Sequence, residues 1–469
     1  MPAIAYCAPG FRGWGRMNRR LDRAFLVTLL AMGAAYLILF GCYFFATMIR
    51  RPYWDMFHYI MDYLDYPRRG GFLHYLWSQY THSEHRQIWM RLLTAIDIGL
   101  FRGVAYPFLV FATACLVSVP LLIGREIARA DLPAQLTVTA ICFVVLLVLT
   151  TANVVDCSIP IEGIYPQTLP FVVLSLILLE GASESDRFAT WPRLGAMAAA
   201  IGAGFACALG LLVWPILVWA AWRGGLGWRW MAAIAIAGGI FIGLYVHGLS
   251  FSNSTAAVLQ GEGEFYEPAN LLKVGDAFLT FLGLPWTRAA ALSIVGRFLG
   301  AGLMIVGLFA ILRRGIVGLP HGGGIGRLER ISLGLIMFSL ATAAVAAVGR
   351  VDSESGGILP VRYSVLLVPL HIGVFCLALG WMKDRWADQR GRRAMQAVAL
   401  SFGALMLVQQ VAAGQAGASK AQAMSATIAE FMAGKRDPAM TRVVYRDLAY
   451  AQYVVDEMRR RQIYAELDR

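Results

Sequence analysis

Long apolar stretches alternate with short polar ones along almost the whole chain. Runs of roughly 17 to 25 residues can each cross a hydrocarbon core about 30 Å thick. They fall at residues 24–49, 104–124, 134–151, 167–180, 195–222, 231–247, 295–312, 330–349, 363–382 and 394–413. The fifth, GAMAAAIGAGFACALGLLVWPILVWAAW, reads either as one long helix or as a hairpin of two short helices meeting near Gly210. Pro215 suits a short, irregular span, since proline removes a helix hydrogen bond. The pattern predicts an all-α polytopic transmembrane bundle of about 10–11 spans, residues 1–413, followed by a polar tail, 414–469. The tail is too polar to span. It predicts two amphipathic helices broken at Asp437-Pro438 and packed over the loops of one face.

Composition agrees. The chain has 469 residues, 58% hydrophobic and 15% charged, with mean hydropathy +0.60; soluble proteins are nearer half apolar and a quarter charged. No small-residue cleavage site follows the first run, which predicts a retained helix and not a signal peptide. The net charge of +12 sits in short loops between spans, as membrane orientation requires, and does not point to nucleic acid.

Those loops orient the chain. The segment FRGWGRMNRRLDR carries five arginines and is expected to be cytoplasmic. Alternation then places 125–133 and 181–194 inside. If 195–222 is a hairpin, RGGLGWRW, RRGIVGLPHGGGIGRLER and KDRWADQRGRR also fall inside; a single span would put the first and last of these outside. The hairpin gives eleven spans. The outer face then collects residues 50–103, NVVDCSIPIEGIYPQ, 248–294, GRVDSESGGILPVRY and the tail. Five of seven cysteines lie inside apolar runs, Cys7 and Cys157 fall on opposite faces, and no CxxC spacing occurs.

Candidate chemistry concentrates on that outer face. In YWDMFHYIMDYLDY, read as a helix, Asp55, His58, Asp62 and Asp65 share one side and Trp54, Phe57, Met61 and Leu64 the next. Such a helix lies in the interface, apolar side down and carboxylates up. Asp55 closely follows the first span, the depth at which a group acting on a lipid headgroup must sit. In YTHSEHRQIWMR, Arg86 and Arg91 read either as cations meeting membrane phosphates, with Trp89 as an interfacial anchor, or as forks for the phosphate of a lipid-linked substrate. Glu84, flanked by His82 and His85, is placed either to move a proton or to hold a divalent cation; HxEH is too short to specify a metal. Asp156 and Glu162 follow the third span in a loop stiffened by Pro160 and Pro166, where a second acid either faces Asp55 or is merely solvated. In GRVDSESGGILPVRY, Arg350 closes one span and Arg362, beside Tyr363, opens the next. Arginine at the outer end of a span runs against the charge bias, so either a phosphate or Asp352 and Glu354 compensates it. The inner loops hold no comparable set. GLPHGGGIG lacks the Lys-Ser/Thr of a phosphate loop, and no GxSxG or kinase signature occurs.

Three features together resemble the polytopic GT-C glycosyltransferases, which use polyprenyl-phosphate sugars on the extracytoplasmic side. They are the acid soon after the first span (Asp55 in YWDMF), a large first loop with two interface-lying helices at about 52–66 and 83–100, and the short-helix pair at 195–222. SEHR before an apolar helix, and GR with a downstream RY, are similar to bacterial membrane proteins of this type. The paired-acid motif of some members is absent next to Asp55. The resemblance implies a multi-pass protein of the bacterial inner membrane, active on its periplasmic side. It implies a sugar moved from a polyprenyl-phosphate-linked donor to a cell-envelope glycan or lipid acceptor by a single inverting displacement. Asp55 is the implied base, with Asp156, then Glu162, as second acid and Glu84 as a further catalytic candidate. His58, His82, His85, Arg86, Arg91, Glu162, Arg350, Arg362 and Tyr363 are the substrate-binding candidates, and a divalent cation is the only cofactor in view. The rivals are a flippase of lipid-linked saccharides, a polysaccharide polymerase or ligase sharing the same donors, and a non-catalytic scaffold. A transporter calls for ionisable groups buried mid-span and paired repeats, and the spans here are nearly free of charge.

Overall fold

The computed structural model describes residues 11–79, 85–150, 153, 157–183, 190–250, 268–284, 293–317, 326–348 and 363–464. Among these, regular structure is helical throughout and no strand occurs. The helices are α1 (Phe11–Thr47), α2 (Met56–Asp65), α3 (Gly71–Trp77), α4 (Ile88–Phe101), α5 (Tyr106–Arg129), α6 (Ala134–Val148), α7 (Ile164–Ser183) and α8 (Thr190–Ala206). They continue as α9 (Val213–Arg223), α10 (Trp228–Val246), α11 (Pro268–Gly283), α12 (Ser293–Ala310), α13 (Arg327–Val348), α14 (Ser364–Ala387), α15 (Gln389–Met432) and α16 (Leu448–Arg460). Among the described residues eight segments, at α1, α5, α7, α10, α12, α13, α14 and α15, are long and apolar enough to cross a membrane. The apolar helices α6, α8 and α9 are shorter.

The 195–222 run is two helices. After α8 the chain goes extended at Cys207, makes a 3-10 turn over Ala208–Leu212 and enters α9. A Cβ on Gly210 would overlap the carbonyl oxygen of Ala203. In a continuous helix those residues would stand two turns apart, about 10 Å, so the chain folds back here, and only glycine permits the approach.

Alternating helix directions bring the basic loops to one end of the bundle. Arg327 Nε meets Glu126 at 2.7 Å, Arg330 Nε meets Glu180 at 2.5 Å and Lys383 meets Asp131 at 2.8 Å. Arg314 pairs with Glu329, Gln396 donates to Asp22 at 3.0 Å, and Arg193 lies 4.7 Å over the Trp230 ring. These contacts tie the ends of α5, α7, α12 and α14 to the starts of α1, α8, α10, α13 and α15. We call this the basic lip. The first loop and the tail lie at the opposite, tail lip.

Three elements depart from expectation. On the polar face of α2, His58 is buried beneath the tail and Asp55, Asp62 and Asp65 are half-exposed, while Phe57, Met61 and Leu64 on the neighbouring face are buried. Its polar side is therefore closed over at His58 and left partly open at the three acids. The 248–294 segment, expected as a loop, contains α11, which packs antiparallel on α12 with Asp276 paired to Arg297 at 2.5 Å. The boundary expected at 413/414 falls inside α15. Its 44 residues extend about 66 Å, twice a hydrocarbon core. Nothing stops the helix at Gly414, because the Tyr43 ring of α1 fills the space a side chain would need and Tyr43 also donates to Val411 O at 3.3 Å.

Candidate functional site

The tail lip is assembled by long-range hydrogen bonds around the end of α1. Thr47 Oγ1 donates to Ser158 Oγ at 2.8 Å, and Ile49 N donates to Ser158 O at 3.1 Å. This pins the third-span loop beneath the first. From there a single 3-10 turn, Pro160–Gly163, carries Glu162, half-buried, toward the start of α14. The rings of Tyr165 and Tyr363 stand 4.9 Å apart, Phe281 meets Tyr363 at 5.8 Å, and Ser364 Oγ donates to Asn153 Oδ1 at 3.4 Å. Tyr363 is buried and Glu162 has a polar partner of its own. Loops distant in sequence do converge here.

The tail closes the other side. Trp54 is held in left-handed backbone (φ 48°), with its N–H donating to Val444 O at 2.6 Å. Left-handed backbone is costly for a bulky residue and persists only where its surroundings impose it. Here the tail imposes it, immediately before Asp55. His58 is clasped by two tail tyrosines: Nε2 lies 2.5 Å from Tyr445 Oη and Nδ1 lies 3.0 Å from Tyr450 Oη, whose ring stacks on it at 4.8 Å. At the far end Asp97, fully buried, accepts from Val104 N at 3.1 Å, Ala105 N at 2.9 Å and Tyr464 Oη at 2.8 Å.

These contacts sort the first-loop charges. Asp62 takes Arg91 at 2.9 Å and Arg69 at 3.6 Å, and Asp65 takes Arg69 at 3.0 Å. Burial raises the Asp62 carboxyl above its ordinary range against the pull of Arg91 and Arg69. Arg91 is fully buried, lies 5.0 Å over the Tyr75 ring and also donates to Gln79 O at 3.3 Å. Arg86 is spent on backbone: Nε donates to Tyr245 O at 2.7 Å, and its two terminal nitrogens donate to Trp77 O and His247 O. It therefore caps the carbonyl end of α10, where a cation is favoured. Arg86 thus has no nitrogen left for a phosphate, whereas Arg91 uses only Nη2 and keeps Nε and Nη1 without a hydrogen bond, both of them buried. Trp89 is likewise no interfacial anchor; it donates to Gly202 O at 2.9 Å and stacks on Phe171 at 5.5 Å.

Asp55 stands apart. It lies eight residues beyond the end of α1, is half-exposed, and its carboxylate makes no hydrogen bond or ion pair with another described residue. Its charge reaches Tyr59 and Tyr445: burial first and Asp55 second hold the Tyr59 hydroxyl well above its ordinary range, and burial chiefly, with a smaller push from Asp55, raises that of Tyr445. His85 is half-buried just ahead of Arg86. His82, Glu84, Asp156, Arg350 and Arg362 lie outside the described residues, so the structure neither gathers nor scatters them. Among the described residues no group of three His, Cys, Asp or Glu side chains is placed to hold a metal. The sequence reading missed Tyr445, Tyr450 and Tyr464. The available signal was tyrosine density in a polar segment that spans nothing.

No family model, no curated protein and no solved structure matches this chain.

Proposed function

We propose that the protein is a membrane-embedded glycosyltransferase that works at the tail lip, with Asp55 as general base. The observation that carries this reading is the sorting of first-loop acids. Asp62, Asp65 and Asp97 are consumed by Arg91, Arg69 and Tyr464, whereas Asp55 keeps uncommitted oxygens beside the end of a span. The donor is a sugar on a polyprenyl phosphate and the acceptor a hydroxyl of an envelope glycan or lipid. Asp55 removes the acceptor proton as that oxygen bonds to the anomeric carbon. The bond from that carbon to the phosphate oxygen breaks with its electron pair leaving on phosphate, and the configuration inverts. Arg350 and Arg362 are the cations assigned to the leaving phosphate, while Arg86 and Arg91 support the scaffold.

The test is transfer from a panel of polyprenyl-phosphate sugars by purified protein in lipid nanodiscs. Asp55→Asn lowers turnover by a factor of about 10² or more without loss of folded protein, and Asp65→Asn, at a carboxylate paired with Arg69, leaves it near wild type. Full turnover by Asp55→Asn removes the base assignment. Absence of turnover by the wild type across the panel removes the transferase.

A further inference from the structure

A second feature lies away from the tail lip and is independent of the transferase reading. Between α5 and α7 runs a lateral groove of about 560 Å³, with Ala114, Leu121, Leu122, Phe171 and Leu174 in its walls and Arg125 at one end. The wall hydroxyl of Ser118 is already used, donating to Cys115 O at 2.7 Å within α5, so the walls offer only apolar contact. Both helices carry an internal proline beside the groove, Pro120 and Pro170. Each interrupts its helix ladder and opposes close, straight packing of the two walls. Leu121 on the rim is 68% exposed. The groove therefore opens sideways, along helices long and apolar enough to be embedded in lipid.

Arg125 decides what fills it. The next arginine along α5, Arg129, pairs with Glu126 at 3.1 Å, and Arg327 and Arg330 pair with Glu126 and Glu180. Arg125 is exposed and makes no hydrogen bond, ion pair or ring contact with another described residue. A helical side chain leans toward the helix N-terminus, so Arg125 leans back over Leu121 and Leu122 and into the groove. Its apolar stem can cover the wall while its guanidinium stays at the basic lip. From Ala114 to Arg125 the wall is about 16 Å long, a slot for an extended hydrocarbon chain capped by one cation.

We propose that this groove holds an acyl chain of an anionic phospholipid, with the lipid phosphate on Arg125. The occupant is an anionic lipid and not a zwitterionic one, because a guanidinium with no partner among the described residues favours net negative charge at a phosphate. Native mass spectrometry of the detergent-purified full chain, with phosphatidylglycerol and phosphatidylcholine added in equal amounts, tests it. The wild type retains phosphatidylglycerol over phosphatidylcholine by about fivefold, the effect of one arginine on an anionic headgroup. Arg125→Gln abolishes the preference, Arg129→Gln keeps it, and Ala114→Trp, which fills the groove from its exposed side, reduces retention of both lipids. Equal retention of the two lipids by wild type, or an undiminished preference in Arg125→Gln, overturns the proposal. So does unchanged retention in Ala114→Trp, a substitution on an exposed residue that leaves the core intact.

Discussion

Replacing Asp97 by alanine removes the acceptor for three donors at once, and the structure sets the size of the loss. Val104 N, Ala105 N and Tyr464 Oη all end on this carboxylate, at 2.8 to 3.1 Å, inside a site with no solvent access. A hydrogen bond of this kind contributes about 1 kcal/mol net, so the alanine variant loses about 3 kcal/mol from the docking of the tail on the first loop. The turn it serves is also demanding. Arg102 and Ala105 sit at φ 57° and 64°, and Gly103 at φ 81° has no room for a Cβ beside the Tyr464 ring. Left-handed backbone costs about 1 to 2 kcal/mol at each non-glycine residue, so a turn released from Asp97 relaxes away from the tail. Amide hydrogen exchange reads this directly. Protection in α16 and at residues 102–105 falls by roughly two orders of magnitude in Asp97→Ala, as 3 kcal/mol requires. Asp97→Asn, which keeps an acceptor for the two amides, loses much less. Burial raises the Asp97 carboxyl above its ordinary value near 3.8, against the opposing pull of Tyr464 and the two amides. The folded state therefore binds this proton more readily than the unfolded one. The contribution is full below the ordinary value and is lost as pH rises through the folded one. The advantage of wild type over Asp97→Asn accordingly narrows as pH rises above the ordinary carboxyl value near 3.8. Unchanged protection of α16 in Asp97→Ala, or an advantage that widens with pH, refutes the account.

Two further predictions concern the bundle. Gly210→Ala drives a methyl group into the backbone oxygen of Ala203, which no rotamer relieves; it lowers resistance to denaturing detergent by about 1 to 3 kcal/mol, and a variant as stable as wild type contradicts the fold-back. Glu180→Leu leaves the Arg330 guanidinium without its closest carboxylate, 2.5 Å away, and costs about 3 kcal/mol, whereas Glu180→Leu with Arg330→Met returns to within about 1 kcal/mol of wild type. Additive losses in the double variant would show that the pair does not act as a unit.

Hydrophobic runs and arginine placement are local quantities, and they were enough for the all-α bundle, the fold-back at Gly210 and the gathering of the basic loops at one end. Each depends on what a segment of about 20 residues can do in a hydrocarbon layer about 30 Å thick. The fate of the polar groups is a different kind of fact. Asp55, Asp62 and Asp97 look alike in the first loop, and only partners brought from elsewhere tell them apart: Arg91 29 positions on, Tyr464 367 positions on. Arg86 reads as a phosphate ligand until Tyr245, 159 residues away, is seen to take it. The amphipathic pattern of α2 places His58 on the side of the acids, yet the tail covers it, because it finds hydroxyl partners in Tyr445 and Tyr450. Sequence alone determined that long apolar helices recur along the chain, as in a multi-pass membrane protein, since transfer from water to hydrocarbon is settled residue by residue. Tertiary structure alone decided which charges are scaffold and which remain open to a ligand, since a buried charge must be paired and its partner is chosen by the fold.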